Sequence, residues 1–270
     1  MTFLPLFPQQ RNIIRASTPE EYIDRSQPVL YDGVMQQWAA YPKWNILHLA
    51  DKFGKWKVSA DRKMNGQVSY IQTEMAAYAD YIYNTADEVP YYGKSTLHLE
   101  NNMVGEYQVP AAFHCWYKDY YTTRALTRRI ELSCLYFGPS GARSNLHQDI
   151  WGSSFWNALF EGKKLWLFFP PEQEHLIYNG EFDPLTADPA SFPMLRDTTP
   201  VVCIQEPGEL IYCPANIWHW AIVLKPSLAL SENFINGENY QVILRFFEKQ
   251  GYANAARKMQ EIAGIYLNKS

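Results

Sequence analysis

The amino-acid sequence predicts a mainly β fold, a barrel or sandwich with flanking helices, and three observations carry that prediction. From about Leu126 to Phe234 the chain is a series of short β-runs with turn residues roughly every eight to twelve positions. Aromatic residues are heavy, with 19 Tyr, 14 Phe and 9 Trp, which suits strands around a concave pocket as well as a plain aromatic core. Helical periodicity is confined to the N-terminal 125 residues and to the tail.

In chain order, an irregular lead-in precedes helix-start signals at Ser17-Thr18-Pro19-Glu20-Glu21, where a cap residue meets a first-turn proline and early acids. Pro28 to Tyr31 reads as a strand stopped at Asp32-Gly33. Trp38 to Phe53 contains a helix, with Ile46, Leu47, Leu49, Ala50 and Phe53 at helical spacing. Lys55 to Tyr70 predicts a hairpin turning at Asn65-Gly66, and Thr73 to Tyr83 a helix; Pro90-Tyr91-Tyr92-Gly93 ends this half. Ile130 to Phe137 is a strand closed by Gly138-Pro139-Ser140-Gly141, followed by a strand over Ser144 to Ile150. Phe155 to Leu159 and Lys164 to Phe169 read as two strands around a turn at Glu161-Gly162. Glu172 to Pro200, rich in Pro and Asp, predicts a loop lying on the surface or over the site mouth. Strands follow at Val201 to Ile204, at Leu210 to Cys213, around His219, and over Ser227 to Phe234. The tail helix, Ala253 to Leu267, carries Ala256, Met259, Ile262, Ala263 and Tyr266 on one stripe. One domain is expected, divided into a flanking region (1–125), a β core (126–247) and a C-terminal helix (248–270).

Hydrophobic residues at 47% supply a core, and charged residues at 19% argue against disorder. A net charge of -4 gives no footprint for nucleic acid, and the densest basic run, Arg124 with Arg128 and Arg129, reads as a solvated helix end. The four cysteines form no CxxC pair, so reduced thiols and a cytoplasmic location are expected. The N-terminus has no basic n-region and is broken by Pro5 and Pro8, unlike a signal peptide, and no run of eighteen apolar residues predicts a membrane span.

The chemistry concentrates at His147 and Asp149, which share a face if their segment is extended, and at His219 in a later strand. With 6 His and 28 acids in 270 residues, about 0.6 His-x-acid pairs arise by chance, so the setting in the strand series matters more than the pair. Two imidazoles and one carboxylate with open positions form the ligand set of a non-haem Fe(II) oxygenase, whereas a closed zinc site wants four ligands. His48 lies in a helical pattern, His98 (with Glu100 two residues on) and His114 in loop-like segments, and His175 in the Pro-flanked loop, and none of them is expected to bind metal.

These residues sit in a wider pattern: His147-Gln148-Asp149, Trp156-Asn157-Ala158-Leu159, Gly162-Lys163-Lys164, Phe169-Pro170, Pro207-Gly208-Glu209-Leu210, Trp218-His219 and Ser231-Glu232-Asn233-Phe234. The set resembles the JmjC/cupin-8 family over about residues 126 to 236, and within it the lysyl-hydroxylase and arginine-demethylase branch. The resemblance implies a double-stranded β-helix binding Fe(II) through His147, Asp149 and His219, with 2-oxoglutarate and O2 as co-substrates. It implies that Lys164 pairs with the distal carboxylate of 2-oxoglutarate, and that Asn157, Ser231 and Asn233 lie near it. Ser231 departs from the family's Thr but keeps the hydroxyl. Ser144 and one of Tyr91 or Tyr92, with Tyr91 preferred, are further expected contacts. The implied reaction is hydroxylation of an amino-acid side chain in a protein or peptide, with succinate and CO2 released; demethylation shares the first step but usually accompanies a reader domain or basic tail. Alternatives are a hydroxylase of a free small molecule and a non-catalytic metal-binding cupin acting as sensor or scaffold. The tail helix can pack on its own barrel or mediate a homodimer, as terminal helices do in relatives.

Overall fold

A computed structural model describes residues 6–22, 24–64, 66–126 and 129–268. Asn65 of the expected hairpin turn, Arg128 and residues 1–5 of the lead-in lie outside the described residues. The strands are β1 (Arg11–Asn12), β2 (Ile14–Ala16), β3 (Val29–Tyr31), β4 (Lys57–Met64), β5 (Gln67–Glu74), β6 (Tyr92–Ser95), β7 (Ser133–Gly138), β8 (Ser154–Phe169), β9 (Val201–Gln205), β10 (Leu210–Cys213) and β11 (Trp218–Phe234). The α-helices are α1 (Ile46–Phe53), α2 (Met75–Asn84), α3 (Leu97–Glu100), α4 (Trp116–Thr123), α5 (Tyr240–Lys249) and α6 (Ala253–Leu267). The protein is mainly β with flanking helices, as the sequence predicts.

Two long antiparallel strands organise the sheet. β8 and β11 pair from Trp218 opposite Phe169 to Phe234 opposite Ser154, with register shifts around Val223 to Leu228. Both strands bend there, so each contributes its two halves to two sub-sheets. One runs β3-β10-β8-β11-β7-β6-β4-β5, using the first half of β8 and the second half of β11. The other joins the second half of β8 to β9 on one side and to the first half of β11 on the other. The expected turn at Glu161-Gly162 is therefore a bulge inside a continuous strand. Gly162 has φ +91°, and a Cβ there would stand 2.1 Å from the Pro226 carbonyl oxygen, so glycine is required. Likewise the strands expected around His219 and over Ser227 to Phe234 are one strand.

Alternation then sorts the faces. Trp156, Ala158 and Phe160 pack outward with Trp38, Trp44 and Tyr107 in the largest apolar cluster, while Phe155 and Asn157 face the interior. The bulge shifts the parity by one, so Lys164 and Trp166 also face inward although Lys164 lies seven residues from Asn157. The second sub-sheet buries Leu165, Leu167 and Phe169 against Ile177, Phe182 and Leu195 of the 172–200 segment, which is a string of 3-10 turns. That segment packs on the sheet as well as running over its surface.

Two expected elements form differently. Ser17 to Glu21 makes only a turn: the Ser17 N–H donates to the Glu21 carboxylate at 2.9 Å, as in a capping box, but no helix continues. Ser144 to Asp149 is extended, with Ile150 opening a 3-10 turn, and from Arg143 onward this segment bridges β11 only at Arg143–Ile222 and His147–His219. Sequence reading missed β6, α4 and α5; α4, α5 and α6 pack together through Tyr120, Ile243, Phe247, Met259 and Ile262.

Candidate metal and co-substrate site

Between the two sub-sheets lies a cavity of about 340 Å³ that brings together His147, Asp149, His219, Lys164, Asn157, Ser231, Asn233 and Ser144. His147 and His219 face each other across a hydrogen-bonded antiparallel pair: the His147 N–H donates to the His219 carbonyl at 3.1 Å and the His219 N–H donates back at 2.8 Å. This pair aligns their rings, whose centroids are 4.4 Å apart. Asp149 Oδ1 stands 3.4 Å from His147 Nε2 and 3.7 Å from His219 Nε2. Ligand atoms of the three residues all fall within 4.8 Å of one another.

The surrounding hydrogen bonds prepare this trio for a metal. His147 Nδ1 lies 2.7 Å from the Asn145 carbonyl and His219 Nδ1 lies 3.0 Å from the Ile217 carbonyl. A carbonyl only accepts, so each Nδ1 carries the proton and each Nε2 presents a lone pair inward. Asp149 Oδ2 accepts from Asn233 Nδ2 at 2.8 Å, leaving Oδ1 for the histidine side. Burial opposes charge on all three residues. For Asp149 the neighbouring histidines and Asn233 outweigh it and hold the carboxyl below its ordinary value. For His147 the bond to Asp149 wins and the pKa is raised, whereas for His219 burial wins and the pKa falls to about 4. Once the proton that Asp149 favours on His147 Nε2 is displaced, two neutral nitrogens and an ionised carboxylate form the donor set a divalent metal needs.

Lys164 is the second feature. It is 2% exposed, and among the described residues its ammonium makes no ion pair or hydrogen bond. It stands 4.3 Å from the centroid of the Trp166 ring and 5.7 Å from that of Tyr92. Burial pushes its pKa down to about 7. Lys164 lies four residues along β8 from Phe168, the partner of His219, which places the two backbone positions about 13 Å apart. A buried cation without a counter-charge fits an anionic group. Asn157 adds a buried Oδ1 that meets no hydrogen-bond donor among the described residues.

Not every expected contact is of the kind predicted. Tyr91 does not line the cavity: its ring lies 4.2 Å from the Arg62 guanidinium and its hydroxyl accepts from Ser69. Tyr92, the first residue of β6, lines it instead, because side chains of adjacent residues in an extended segment face opposite ways. The amide of Asn233 is committed to Asp149 and, at 3.1 Å, to Ser153. The Ser231 hydroxyl donates to the Trp156 carbonyl at 2.9 Å, and the Ser144 oxygen accepts from the Ala221 N–H at 3.0 Å. Sequence reading missed Tyr136, Asp61, Lys63 and Lys94, which also line the cavity. Tyr136 was recoverable, since Leu135 and Phe137 alternate with it as core residues.

A cupin-like domain family matches residues 15–238. The chain is 28% identical over 247 residues to lysine-specific demethylase JMJ21 of Arabidopsis thaliana, covering 86% of this chain and 26% of that protein. It is 25% identical over 234 residues to the bifunctional arginine demethylase and lysyl-hydroxylase psr-1 of Caenorhabditis elegans, covering 80% and 58%. It is 26% identical over 175 residues to the 2-oxoglutarate and iron-dependent oxygenase JMJD4 of Danio rerio, covering 61% and 40%. The chain thus spans between about a quarter and three fifths of the length of these relatives. Among the described residues no helix is long and apolar enough to cross a membrane.

Proposed function

Because the chain belongs to the cupin-like (JmjC) domain family, we propose that it is an Fe(II)- and 2-oxoglutarate-dependent oxygenase hydroxylating an amino-acid side chain in a protein or peptide. The observation that carries this reading is the meeting, in one cavity, of an ordered His-Asp-His trio with an unpaired buried lysine. Nε2 of His147, Nε2 of His219 and Oδ1 of Asp149 would hold the iron. Lys164 would take the distal carboxylate of 2-oxoglutarate, with Asn157 beside it.

Iron, 2-oxoglutarate and O2 together supply the oxidising power to break a substrate C–H bond, releasing succinate and CO2. The chain supplies the setting. The Asn145 and Ile217 carbonyls hold both Nδ1 protons, so each Nε2 stays aimed at the metal position and the rings do not rotate. Asn233 ties down one carboxylate oxygen of Asp149 and leaves the other facing the histidines. Phe155, Trp166 and Phe168 pack around the buried His219 ring and keep water from that side. Hydroxylation and N-demethylation begin with the same C–H step, so the atom bearing that hydrogen decides the product.

Purified protein given Fe(II), 2-oxoglutarate and O2 with candidate peptides should release succinate above the level of a His147→Ala variant. Equal release by the two proteins rejects the oxygenase reading.

A further inference from the structure

The cavity's outer rim is built by one face of the β7-β6-β4-β5 extension. Cross-strand rows place Tyr136, Lys94, Ser59 and Gln72 level with one another, and Tyr92, Asp61 and Tyr70 in the next row. Lys63 stands one row further, opposite Val68. Lys63, Asp61 and Lys94 all line the same cavity as the His-Asp-His trio. Along the strand direction the rim charges therefore run plus, minus, plus, with Asp61 in the middle.

Among the described residues the side chains of Lys63, Asp61 and Lys94 make no hydrogen bond or ion pair. This is unlike the neighbouring charges, since Lys57 pairs with Glu74, Arg62 with Asp87 and Arg143 with Asp183. Beyond the rim the face stays open: Tyr70 is 74% exposed and Val68 43% exposed. A second depression, of about 540 Å³, adjoins the cavity at Lys94 and carries Lys55 and Lys57.

The spacing selects the ligand. Lys94 is level with Ser59, four residues from Lys63 along β4. That is about 13 Å along the strand and one strand spacing across, or about 14 Å in all, which an extended polypeptide covers in about four residues. We propose that this rim docks an extended polypeptide with acidic residues two positions before and two positions after a central cationic residue, whose side chain passes Asp61 toward the trio. The inference rests on the oxygenase reading for what happens to that central residue, but not for the docking. Nucleic acid fits the rim worse, because Asp61 and Glu74 on this face would repel a continuous phosphate backbone. A free amino acid is too short to reach both lysines.

The test uses fluorescence anisotropy with the full chain and labelled nonapeptides. Each has a central lysine or arginine, flanked two positions to either side by glutamate, glutamine or lysine. The glutamate peptides should bind about fivefold to tenfold more tightly than the glutamine ones at low salt, with the margin lost at high salt. A Lys63→Glu/Lys94→Glu double variant, altered only at exposed positions, should reverse the order and prefer the lysine-flanked peptides. Several outcomes overturn the proposal: no preference (or no binding of any peptide), a preference the double variant leaves unchanged, tighter binding of a single-stranded oligonucleotide at these lysines, or equal competition by free lysine. Succinate release measured in parallel keeps the two readings separate. Selectivity without succinate leaves the docking face standing and removes the reaction; succinate without selectivity does the opposite.

Discussion

Replacing Lys164 by Met should make the protein more stable without co-substrate and indifferent to its addition. Lys164 is buried at 2% exposure, and among the described residues only the ring faces of Trp166 and Tyr92 compensate its charge. Its folded pKa, about 7, lies below the ordinary 10.5. Between those values the unfolded chain binds the extra proton, so stability rises with pH across the window and the cost is fully present below pH about 7. The gap is worth at most about 5 kcal/mol. A methionine of similar length removes the charge while filling the space, so a gain of about 2–4 kcal/mol is expected near pH 6.5. For a chain of this size that raises the melting temperature by roughly 5–10 °C. Thermal unfolding, recorded near pH 6.5 and near pH 10 with Mn(II), with and without 2-oxoglutarate, reads both effects. The parent should gain stability from 2-oxoglutarate and the variant should not, and their difference should shrink at the higher pH. A variant less stable than its parent near pH 6.5 without co-substrate, or one that still responds to 2-oxoglutarate, would refute the role given to Lys164.

Asn233→Ala removes the bond that holds Asp149 Oδ2; metal affinity, followed by titration with Mn(II), should fall about 10-fold to 100-fold with the 2-oxoglutarate requirement unchanged. The reverse pattern would make Asn233 a co-substrate contact. His98 is buried in a network in which Ser133 meets its Nε2 at 2.8 Å and donates onward to Glu232 at 2.8 Å. Burial pushes the His98 pKa from 6.5 down to about 4, so the folded ring stays neutral where the unfolded one is charged. Stability should fall as pH drops from 6.5 to about 4, by up to about 3 kcal/mol from this residue. His219 adds to the fall in metal-free protein. Urea unfolding near pH 4.5 and pH 7 should show a shallower loss in His98→Gln than in the parent, and an equal loss would remove His98 from the account.

The sequence disclosed elements whose signal is local and concealed those that depend on distant pairing. The α2 and α6 stripes and the hairpin of β4 and β5 were legible because periodicity and turn residues lie within each segment. β8 and β11 each read as two strands, because Gly162 and Lys225-Pro226 look the same in a bulge as in a turn. Whether pairing continues across such residues is decided by the other strand. The trio was legible from spacing and setting, yet its order comes from carbonyls at Asn145 and Ile217 that no residue type announces. Tyr91 and Tyr92 differ by one residue in register, and with β6 unrecognised nothing in the sequence chose between them. Strand parity turns Asn233 toward the cavity, but its partner is fixed by where the 149–153 turn falls.

That turn also explains why helices far from the chemistry belong to the site. Trp151, two residues past Asp149, has φ +58°, and Gly152 follows at φ +68°. A left-handed backbone costs a bulky side chain roughly 1–2 kcal/mol, so something must hold Trp151 there. Its ring packs edge-on against Tyr117 of α4 and Phe247 of α5, with centroids 5.5 and 5.2 Å away. Packing a partly buried indole between two aromatic rings offsets that cost. The Gly152 N–H then donates to the Asp149 carbonyl at 2.9 Å, and the Ser153 hydroxyl meets Asn233. Asp149 is thus aimed from two directions, by β11 through Asn233 and by the α4 and α5 helices through Trp151. A free strand end could swing its carboxylate away from the histidines. A turn clamped between two helices and the sheet cannot do so without giving up the packing of Trp151.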